Sequence, residues 1–300
     1  MSLNILDLFS VKGRIAVVTG GSSGIGLMVA KGLVTNGARV YIVALPTDPI
    51  DEIVSELNLL GSASSGGSAE GYACDLSSKS AIAELASYIS KAVGGKLDIL
   101  ISNAGIRRDP PVECNVLTAP LLELQESMFS RTEPDWEDTF RVNTTAHYFL
   151  GVAFLPLLAA AADQEIDGGR SRGAEQGRGV MIITSSCASM HNVTNVDLTS
   201  YASSKAATDH LVKLLAAKFA RWYVRVVGVN PGFVPSKMNP VGAEGNMFAK
   251  LFEKVPAKRA GRQEDLAGTV LYLVSKAGAY VDGVSLCVDG GRVLVANGQE

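Results

Sequence analysis

The sequence predicts an α/β fold in which helices cover both faces of a doubly wound parallel sheet of about seven strands. Short apolar runs rich in Val and Ile alternate with longer segments of helical periodicity along nearly all 300 residues. The runs are mainly apolar without a polar alternation, which is typical of strands buried on both faces of a parallel sheet. The predicted strands are 15–18, 39–43, 71–74, 97–102, 180–184, 224–229 and 285–288.

Helical patterns fill the segments between these strands. The helix after the second strand is expected to have Asp48 as its N-cap and Pro49 at its first position. The longest apolar run, Tyr148–Ala162, contains Pro156 and is shorter than the roughly 20 residues that cross a bilayer, so it predicts a buried helix and no membrane span. The predicted helices are 24–36, 49–60, 80–93, 134–162, 200–222 and 263–275.

The alternation continues along the chain without an internal repeat, so we expect a single domain over residues 1–300. Two segments interrupt it and are expected to be insertions. One is 107–133, which contains a Pro-Pro pair and is expected near the site, and the other is 163–179, whose glycines and charged residues predict a mobile surface loop. The segment 61–69, rich in Ser and Gly, also predicts a flexible surface loop.

Composition and charge argue against several classes of protein. Hydrophobic residues make up 47% of the chain and charged residues 19%, which allows a large buried core and argues against disorder. The formal net charge is −3 with both signs interspersed, so we expect no nucleic-acid partner. The N-terminal segment lacks the layout of a secretory signal, and the four cysteines form no metal-binding pattern. These observations predict a cytoplasmic protein without a metal site.

A glycine-rich turn, Thr19-Gly-Gly-Ser-Ser-Gly-Ile-Gly26, joins the first predicted strand to a helix. The glycines allow a tight turn and let the backbone approach a diphosphate closely, while the N-terminus of the helix favours negative charge. A glycine-rich loop without a ligand has a similar composition, but the position after the first strand of a βαβ unit favours phosphate binding. The predicted phosphate-binding residues are Gly20, Ser22, Ser23, Gly24, Ile25 and Gly26.

The glycine spacing resembles the TGxxxGxG fingerprint of the short-chain dehydrogenase/reductase family, and further motifs of that family follow along nearly the whole chain. Asp75, with Leu76 beside it, matches the family residue that meets the adenine, and Asn103-Ala104-Gly105 matches the NAG motif. The resemblance implies a Rossmann-like fold, a nicotinamide dinucleotide cofactor and oxidoreductase activity. It also implies that these residues lie at the carboxyl edge of the sheet.

Tyr201 and Lys205 match the YxxxK motif of the same family. Residues four positions apart face the same side of a helix, so the two side chains should be neighbours. A free phenol has a pKa near 10, and we expect the ammonium of Lys205, together with the positive charge of the oxidised nicotinamide, to lower that pKa so that Tyr201 transfers a proton at neutral pH. The resemblance implies that Lys205 also holds the hydroxyls of the nicotinamide ribose.

The family has a serine at the end of the fifth strand that hydrogen-bonds the substrate oxygen. We assign this role to Ser186, with Ser185 and Ser189 as alternatives, because the spacing to the YxxxK motif is slightly longer than usual. By the same resemblance, Asn143 holds a water that continues the proton relay. Arg141 is a candidate cofactor neighbour, although a solvated helix face explains it equally well.

A Pro-Gly turn follows the sixth strand and matches the family motif over the nicotinamide, which implies cofactor contacts by Pro231, Gly232, Val234 and Ser236. Residues 235–258 predict an apolar substrate lid, although an ordinary core helix has the same pattern. Residues 230–238, together with Ala277-Gly-Ala-Tyr280 and Asp289-Gly-Gly291, resemble the subgroup that contains the 3-oxoacyl reductase of rhamnolipid biosynthesis and many fungal secondary-metabolism reductases. The family resemblance further implies a homodimer or homotetramer.

The residue at the end of the second strand usually decides between NAD and NADP. An acid there accepts hydrogen bonds from the ribose 2′-hydroxyl and repels a 2′-phosphate. Here the residue is Ala44, followed by Leu45 where NADP-dependent relatives often have arginine, and Ser23 rather than a base precedes Gly24. The absence of the acid favours NADP, and NAD stays open.

Together the motifs predict an enzyme that reduces a ketone or oxidises a secondary alcohol of apolar character. Two alternatives are a non-redox step, such as epimerisation or cyclisation in secondary metabolism, and a sensor that binds the cofactor without turnover. The complete set of catalytic residues argues against the sensor. Of the neighbouring side chains, Cys187 is expected to be a buried thiol and His191 a solvated loop residue.

Overall fold

The computed structural model describes residues 3–191, 195–238 and 255–296 of the chain. Seven parallel strands form a central sheet, which confirms the predicted fold class. A short antiparallel hairpin is separate from this sheet. The strands are β1 Ile15–Thr19, β2 Arg39–Ala44, β3 Ser68–Ala73, β4 Ile99–Ser102, β5 Glu165–Ile166, β6 Ser171–Arg172, β7 Val180–Thr184, β8 Arg225–Pro231 and β9 Ser285–Val288.

The strand order in the central sheet is β3-β2-β1-β4-β7-β8-β9. The direction of winding reverses between β1 and β4, so the loops that leave these two strands diverge at the carboxyl edge. Strands β4 and β7 are buried at every position, as their apolar runs predict. The reversal therefore creates a crevice beside the most deeply buried part of the sheet.

Helices cover both faces of the sheet because neighbouring residues of each strand point to opposite faces. Val17 and Leu100 pack under α4, α7 and α8, whereas Val18 and Ile101 pack under α2, α3 and α9. The helices are α1 Ile5–Leu8, α2 Gly24–Thr35, α3 Ile50–Ser62, α4 Lys79–Ala92, α5 Leu121–Phe129, α6 Glu133–Phe140, α7 Ala146–Ala162, α8 Thr199–Phe219, α9 Gln263–Val274 and α10 Arg292–Ala296.

The helix predicted over 134–162 has a π-helical turn in its middle. Residues Arg141–Thr145 form this turn between α6 and α7. By length and composition, 133–162 is the one helix of the described residues that is long and apolar enough to cross a membrane. Half of its most apolar window is buried inside the protein. A core helix meets the same criteria, so this helix is weak evidence for a membrane span.

Three expectations about local structure need correction. The segment 163–179, expected to be a surface loop, forms the β5–β6 hairpin and a 3₁₀ turn. The third strand begins at Ser68, so the Ser- and Gly-rich loop 61–69 is shorter than predicted. Helix α3 begins one residue later than expected, and its N-cap is Pro49 instead of Asp48.

A buried guanidinium joins the loops at the amino edge of β8. Arg225 donates hydrogen bonds of 3.0–3.1 Å to the carbonyl oxygens of four residues in neighbouring segments. Burial lowers its pKa to about 10, so the group is still charged at neutral pH. Its four acceptors are Gly177, Leu273, Gly278 and Val281.

We expect Arg225→Met to lower the free energy of unfolding by about 3 kcal/mol, because it leaves buried carbonyl groups without donors. Urea denaturation followed by circular dichroism measures the change. The matched control is Arg170→Met, because Arg170 is exposed and its substitution should stay within about 0.5 kcal/mol of the original. Equal stabilities of the two variants would contradict the role given to Arg225.

Candidate active site

A cavity of about 1320 Å³ lies at the carboxyl edge of the sheet, where the order of strands reverses. Its walls come from the loops that follow β1, β2, β3, β4, β7 and β8, so it brings together motifs that are far apart in sequence. The predicted cofactor residues on its walls are Gly20, Ser22, Ser23, Gly24, Ile25, Asp75, Leu76, Asn103, Ala104, Gly105, Tyr201, Lys205, Pro231, Gly232, Val234 and Ser236.

The glycine turn has the geometry that a diphosphate needs. Gly20 and Gly24 have φ of 64° and 52°, a region that L side chains rarely adopt. A Cβ on Gly26 would lie 2.1 Å from the carbonyl oxygen of Gly20, so Gly26 closes the turn from below and does not line the cavity. The N-cap of α2, Ser23, makes no side-chain capping bond, which leaves the N–H groups of the first turn for an anion.

The side chain of Thr19 connects the ends of β1 and β4. Its Oγ1 accepts hydrogen bonds from the N–H groups of Asn103, at 2.9 Å, and Ala104, at 3.2 Å. The amide Nδ2 of Asn103 donates to the carbonyl of Thr19 at 3.1 Å. These bonds fix the NAG motif against the glycine turn, so both loops face the cavity in one arrangement.

Tyr201 and Lys205 lie on the first two turns of α8 and face the cavity together, as their spacing predicts. The ammonium Nζ of Lys205 lies 5.8 Å from the centre of the Tyr201 ring. It donates to the carbonyl oxygen of Thr184 at 2.8 Å, which places it at the end of β7. Burial lowers the pKa of Lys205 to about 8, and Asp209 opposes this shift.

The expected lowering of the Tyr201 pKa is not the net effect in this structure. Burial raises the pKa of the phenol above its usual value of 10.0, and a hydrogen bond with Ser186 opposes that change. The reason is that Lys205 points its protons at Thr184, while the ring of Tyr201 is removed from water. The phenol is therefore protonated at neutral pH.

The structure separates the three candidate serines. Ser186 lines the cavity, and its side chain acts on the phenol of Tyr201 by lowering the pKa that burial raises. The hydroxyl of Ser185 donates to the carbonyl of Lys205 at 2.9 Å, and that of Ser189 donates to the carbonyl of Ser186 at 2.7 Å. Both of these hydroxyls are thus occupied by structural bonds, which favours Ser186 as the serine that faces the substrate.

Asn143 sits in the π-helical turn and is fully buried. Its Oδ1 accepts from the N–H of Ile106 at 2.8 Å, and its Nδ2 donates to the carbonyl of Ile106 at 2.9 Å and to Ser204 at 3.0 Å. This clamp brings Gly105 so close that an added Cβ would lie 3.4 Å from the Nζ of Lys205. Asn143 therefore positions the loop beside the catalytic pair without lining the cavity itself.

The whole-chain comparisons agree with this geometry. The family model for short chain dehydrogenases matches residues 14–245. The chain belongs to this family. A short-chain dehydrogenase/reductase from Diaporthe leptostromiformis, PhomF, is 35% identical over 98% of this chain and 96% of its own length. Family membership makes the protein a nicotinamide-dependent oxidoreductase.

Solved structures of the family superpose over nearly the full chain. The Pseudomonas aeruginosa RhlG/NADP active-site complex is 30% identical with a TM-score of 0.76 and covers 95% of this chain and 98% of its own. A 7α-hydroxysteroid dehydrogenase with NADH and 7-oxo glycochenodeoxycholic acid is 27% identical with a TM-score of 0.78, covering 97% and 98%. Similar dehydrogenases thus hold either form of the cofactor.

Arg141 needs correction as a cofactor neighbour of this dehydrogenase. Its side chain is 49% exposed and lies 3.7 Å from Glu137 and 4.0 Å from Asp138 in ion pairs along the helix surface. It does not line the cavity. The alternative interpretation, a solvated helix face, describes its surroundings.

Some walls of the dehydrogenase cavity come from segments without a family motif. Arg107, Arg108 and Leu117 come from the insertion, which is expected near the site, and Arg292 and Val295 come from α10. The side chains that these segments supply could not be found from periodicity or spacing, and nothing in the sequence places α10 at the cavity.

A buried ion pair attaches the insertion to the beginning of the catalytic helix. Arg131 Nε lies 2.5 Å from Asp197 Oδ2, and both side chains are 4% exposed. Arg131 also donates to the carbonyl of Arg108 at 2.8 Å, and Asp197 accepts from the N–H of Thr199, the first residue of α8. The insertion and the segment before Tyr201 therefore form one connected wall.

The structure confirms the sequence expectation for Cys187 but not the one for His191. Cys187 is buried, which raises the pKa of its thiol to about 12 and keeps it protonated, as expected. His191 was expected in solvent, but it lines the cavity with its Nε2 3.9 Å from the Cys187 sulfur. Burial lowers the pKa of His191 to about 4, so its ring is neutral at pH 7.

The predicted substrate lid, 235–258, can be followed in part. Ser236, Lys237 and Met238 line the cavity, and Ser236 lies over the glycine turn, 3.3 Å from the position of a Cβ on Gly24. Residues 239–254 lie outside the described residues. The lid therefore stays a prediction over that part of the segment.

We expect Gly26→Ala to raise the dissociation constant for NADH at least about tenfold, because the new methyl group would displace the turn or Asn103. Fluorescence titration with NADH measures this change. The matched control is Gly268→Ala in α9, where a Cβ meets nothing within 4 Å and helix propensity improves. Unchanged NADH binding by the Gly26 variant would contradict the assignment of the turn.

Proposed function

We propose that the protein transfers hydride between a nicotinamide dinucleotide and a carbonyl carbon, reducing an apolar ketone or oxidising the corresponding secondary alcohol. The observation that carries this proposal is the placement of Tyr201, Ser186 and Lys205 together on the cavity wall. A protonated phenol and a hydroxyl that meet at one point can both donate to one substrate oxygen.

Each side chain has a separate part in this chemistry. The bound cofactor supplies or accepts the hydride. Tyr201 gives its proton to the ketone oxygen during reduction, and its raised pKa keeps that proton available at neutral pH. Ser186 donates a hydrogen bond to the same oxygen and stabilises the negative charge that develops there. In the reverse direction the phenol receives the proton of the alcohol.

Lys205 and Asn143 support this pair. The buried ammonium of Lys205 places positive charge near the phenol, which favours the phenolate left after proton transfer. Holding the ribose hydroxyls stays a predicted role of Lys205. Asn143 acts by positioning the loop at Gly105, and its part in a water-mediated relay stays a prediction.

The described walls support an apolar substrate. Leu117, Leu198, Phe233 and Val295 line the cavity together with the side chains of the catalytic pair. A biosynthetic role is our proposal from the fungal relative named above. The sequence also predicts NADP from Ala44.

Assembly and location stay predictions of the sequence and the resemblance. A homodimer or homotetramer is supported by apolar side chains exposed on the two long helices, with Tyr148 and Val152 on α7 and Leu214 on α8 between 41% and 44% exposed. A cytoplasmic location agrees with the four free thiols of the chain.

We expect Tyr201→Phe to lower the turnover number for ketone reduction at least about 100-fold, because the proton donor is lost. Oxidation of NADH and NADPH is followed with a panel of cyclic and aryl ketones, and cofactor affinity should stay within about twofold of the original. Tyr280→Phe is the control, because Tyr280 is fully exposed. Wild-type turnover by the Tyr201 variant would sink the proposed mechanism and favour a binding-only protein.

Alanine substitution of the three serines tests which one faces the substrate. We expect Ser186→Ala to lower the turnover number about 100-fold, since the oxygen loses a donor at the point where charge develops. Ser185→Ala and Ser189→Ala should lose much less turnover, because their hydroxyls bond to backbone carbonyls. A larger loss in either of these than in Ser186→Ala would reassign the role.

A further inference from the structure

A carboxylate folds back onto the cofactor cavity just after β2. The chain turns over Leu45–Asp48, where the N–H of Asp48 donates to the carbonyl of Leu45 at 3.0 Å. The carboxylate oxygen Oδ2 of Asp48 accepts from the hydroxyl of Ser22 at 3.0 Å and from the N–H of Leu45 at 3.3 Å. The Oδ2 oxygen of Asp48 thus accepts hydrogen bonds from one donor in the glycine turn and one donor at the end of β2.

These atoms lie at the end of the cavity where the family resemblance places the adenosine of the cofactor, beside Asp75. Ser22, Ala44, Leu45 and Asp48 line that end together with Asp75, the residue expected at the adenine. Ala44 ends β2, so no acid stands at the usual position, but the turn brings the carboxylate of Asp48, four residues later, next to this end of the strand. Asp48 was expected to cap α3, whose N-cap is Pro49, so its side chain is available for this contact.

The charges around this end are one-sided. In the described part of the chain, the cations on the cavity wall come from the segments after β4, β8 and β9 and from α8, and none comes from the loops after β1, β2 or β3. Arg39 begins β2 at the opposite edge of the sheet, where it pairs with Glu70 at 2.6 Å. Among the described residues, the loops at the adenosine end therefore offer no positive charge to pair with a 2′-phosphate. The five cations of the cavity wall are Arg107, Arg108, Lys205, Lys237 and Arg292.

We infer that Asp48 selects NAD(H) over NADP(H), an inference that rests on the proposed function of this cavity. Its carboxylate can accept hydrogen bonds from the 2′- and 3′-hydroxyls of the adenosine ribose. A 2′-phosphate would meet a like charge there, and the two donors it needs, Ser22 Oγ and Leu45 N, are already bound to Asp48. The preference that Ala44 alone predicts is thus reversed by a residue outside the usual position.

The test compares dissociation constants for NADH and NADPH by fluorescence, and for 5′-AMP and adenosine 2′,5′-bisphosphate by displacement of NADH. We expect the unmodified protein to bind NADH at least about tenfold more tightly than NADPH, and 5′-AMP at least about tenfold more tightly than the bisphosphate. Asp48→Asn should tighten binding of NADPH and of the bisphosphate at least about tenfold, because it removes the charge and keeps the shape. NADH binding should weaken, because an amide oxygen is a poorer acceptor for the ribose hydroxyls than the carboxylate.

Asp51→Asn is the matched control. Asp51 lies in the first turn of α3, is exposed and does not line the cavity, so its substitution removes the same charge without changing the preference. A preference of the original protein for NADPH overturns the inference, because the phosphate then displaces the carboxylate. A preference for NADH that Asp48→Asn leaves intact also overturns it. Failure of both dinucleotides to bind instead removes the proposed function on which the inference rests.

Discussion

The hydrogen bonds between Thr19 and the Asn103–Ala104 turn are the contacts on which the arrangement of the site depends. Strands β1 and β4 are neighbours in the sheet but lie about 80 residues apart in the chain, and the winding reverses between them. Thr19 carries the glycine turn on one side and fixes the loop that reaches Gly105 on the other. The phosphate end and the catalytic end of the cavity therefore share one rigid reference point.

A second set of buried polar groups attaches the catalytic helix α8 to the loop that follows β4. Asn143 bonds both backbone groups of Ile106 and the hydroxyl of Ser204, and Ser204 donates to the carbonyl of Tyr201. Thr208 donates to the carbonyl of Asn143 at 2.6 Å. Buried hydrogen bonds of this kind are costly to break, so the phenol has little freedom to move away from Ser186.

Much of this architecture follows from the sequence because it is encoded locally. Apolar runs and glycine spacing locate the strands and the phosphate turn, and the four-residue spacing of Tyr201 and Lys205 places them on one face of a helix. Of the predicted site residues, Gly26 and Asn143 support the cavity without lining it, Arg141 pairs with its own helix, and the others lie on the cavity wall. The π-helical turn at Arg141–Thr145 was missed, since a one-residue expansion leaves the helical pattern almost unchanged.

What the sequence could not provide are features that depend on contacts between distant segments. The side-chain direction of Asp48 is set by Ser22, and the raised pKa of Tyr201 is set by burial under elements from the whole chain. The walls formed by Arg107 and Arg292 likewise arise only when the insertion and α10 meet at one edge. Such features have no periodicity, so no pattern along the chain announces them.

The ion pair of Arg131 and Asp197 limits how this pocket can be reshaped. One charge belongs to the insertion and the other to the segment that starts the catalytic helix, and water is excluded from both. An insertion grafted from a relative without the arginine would leave Asp197 as an unpaired buried carboxylate, which costs several kcal/mol. Changes of substrate range in this scaffold must therefore be made in both segments at once, because the pocket wall is not an exchangeable module.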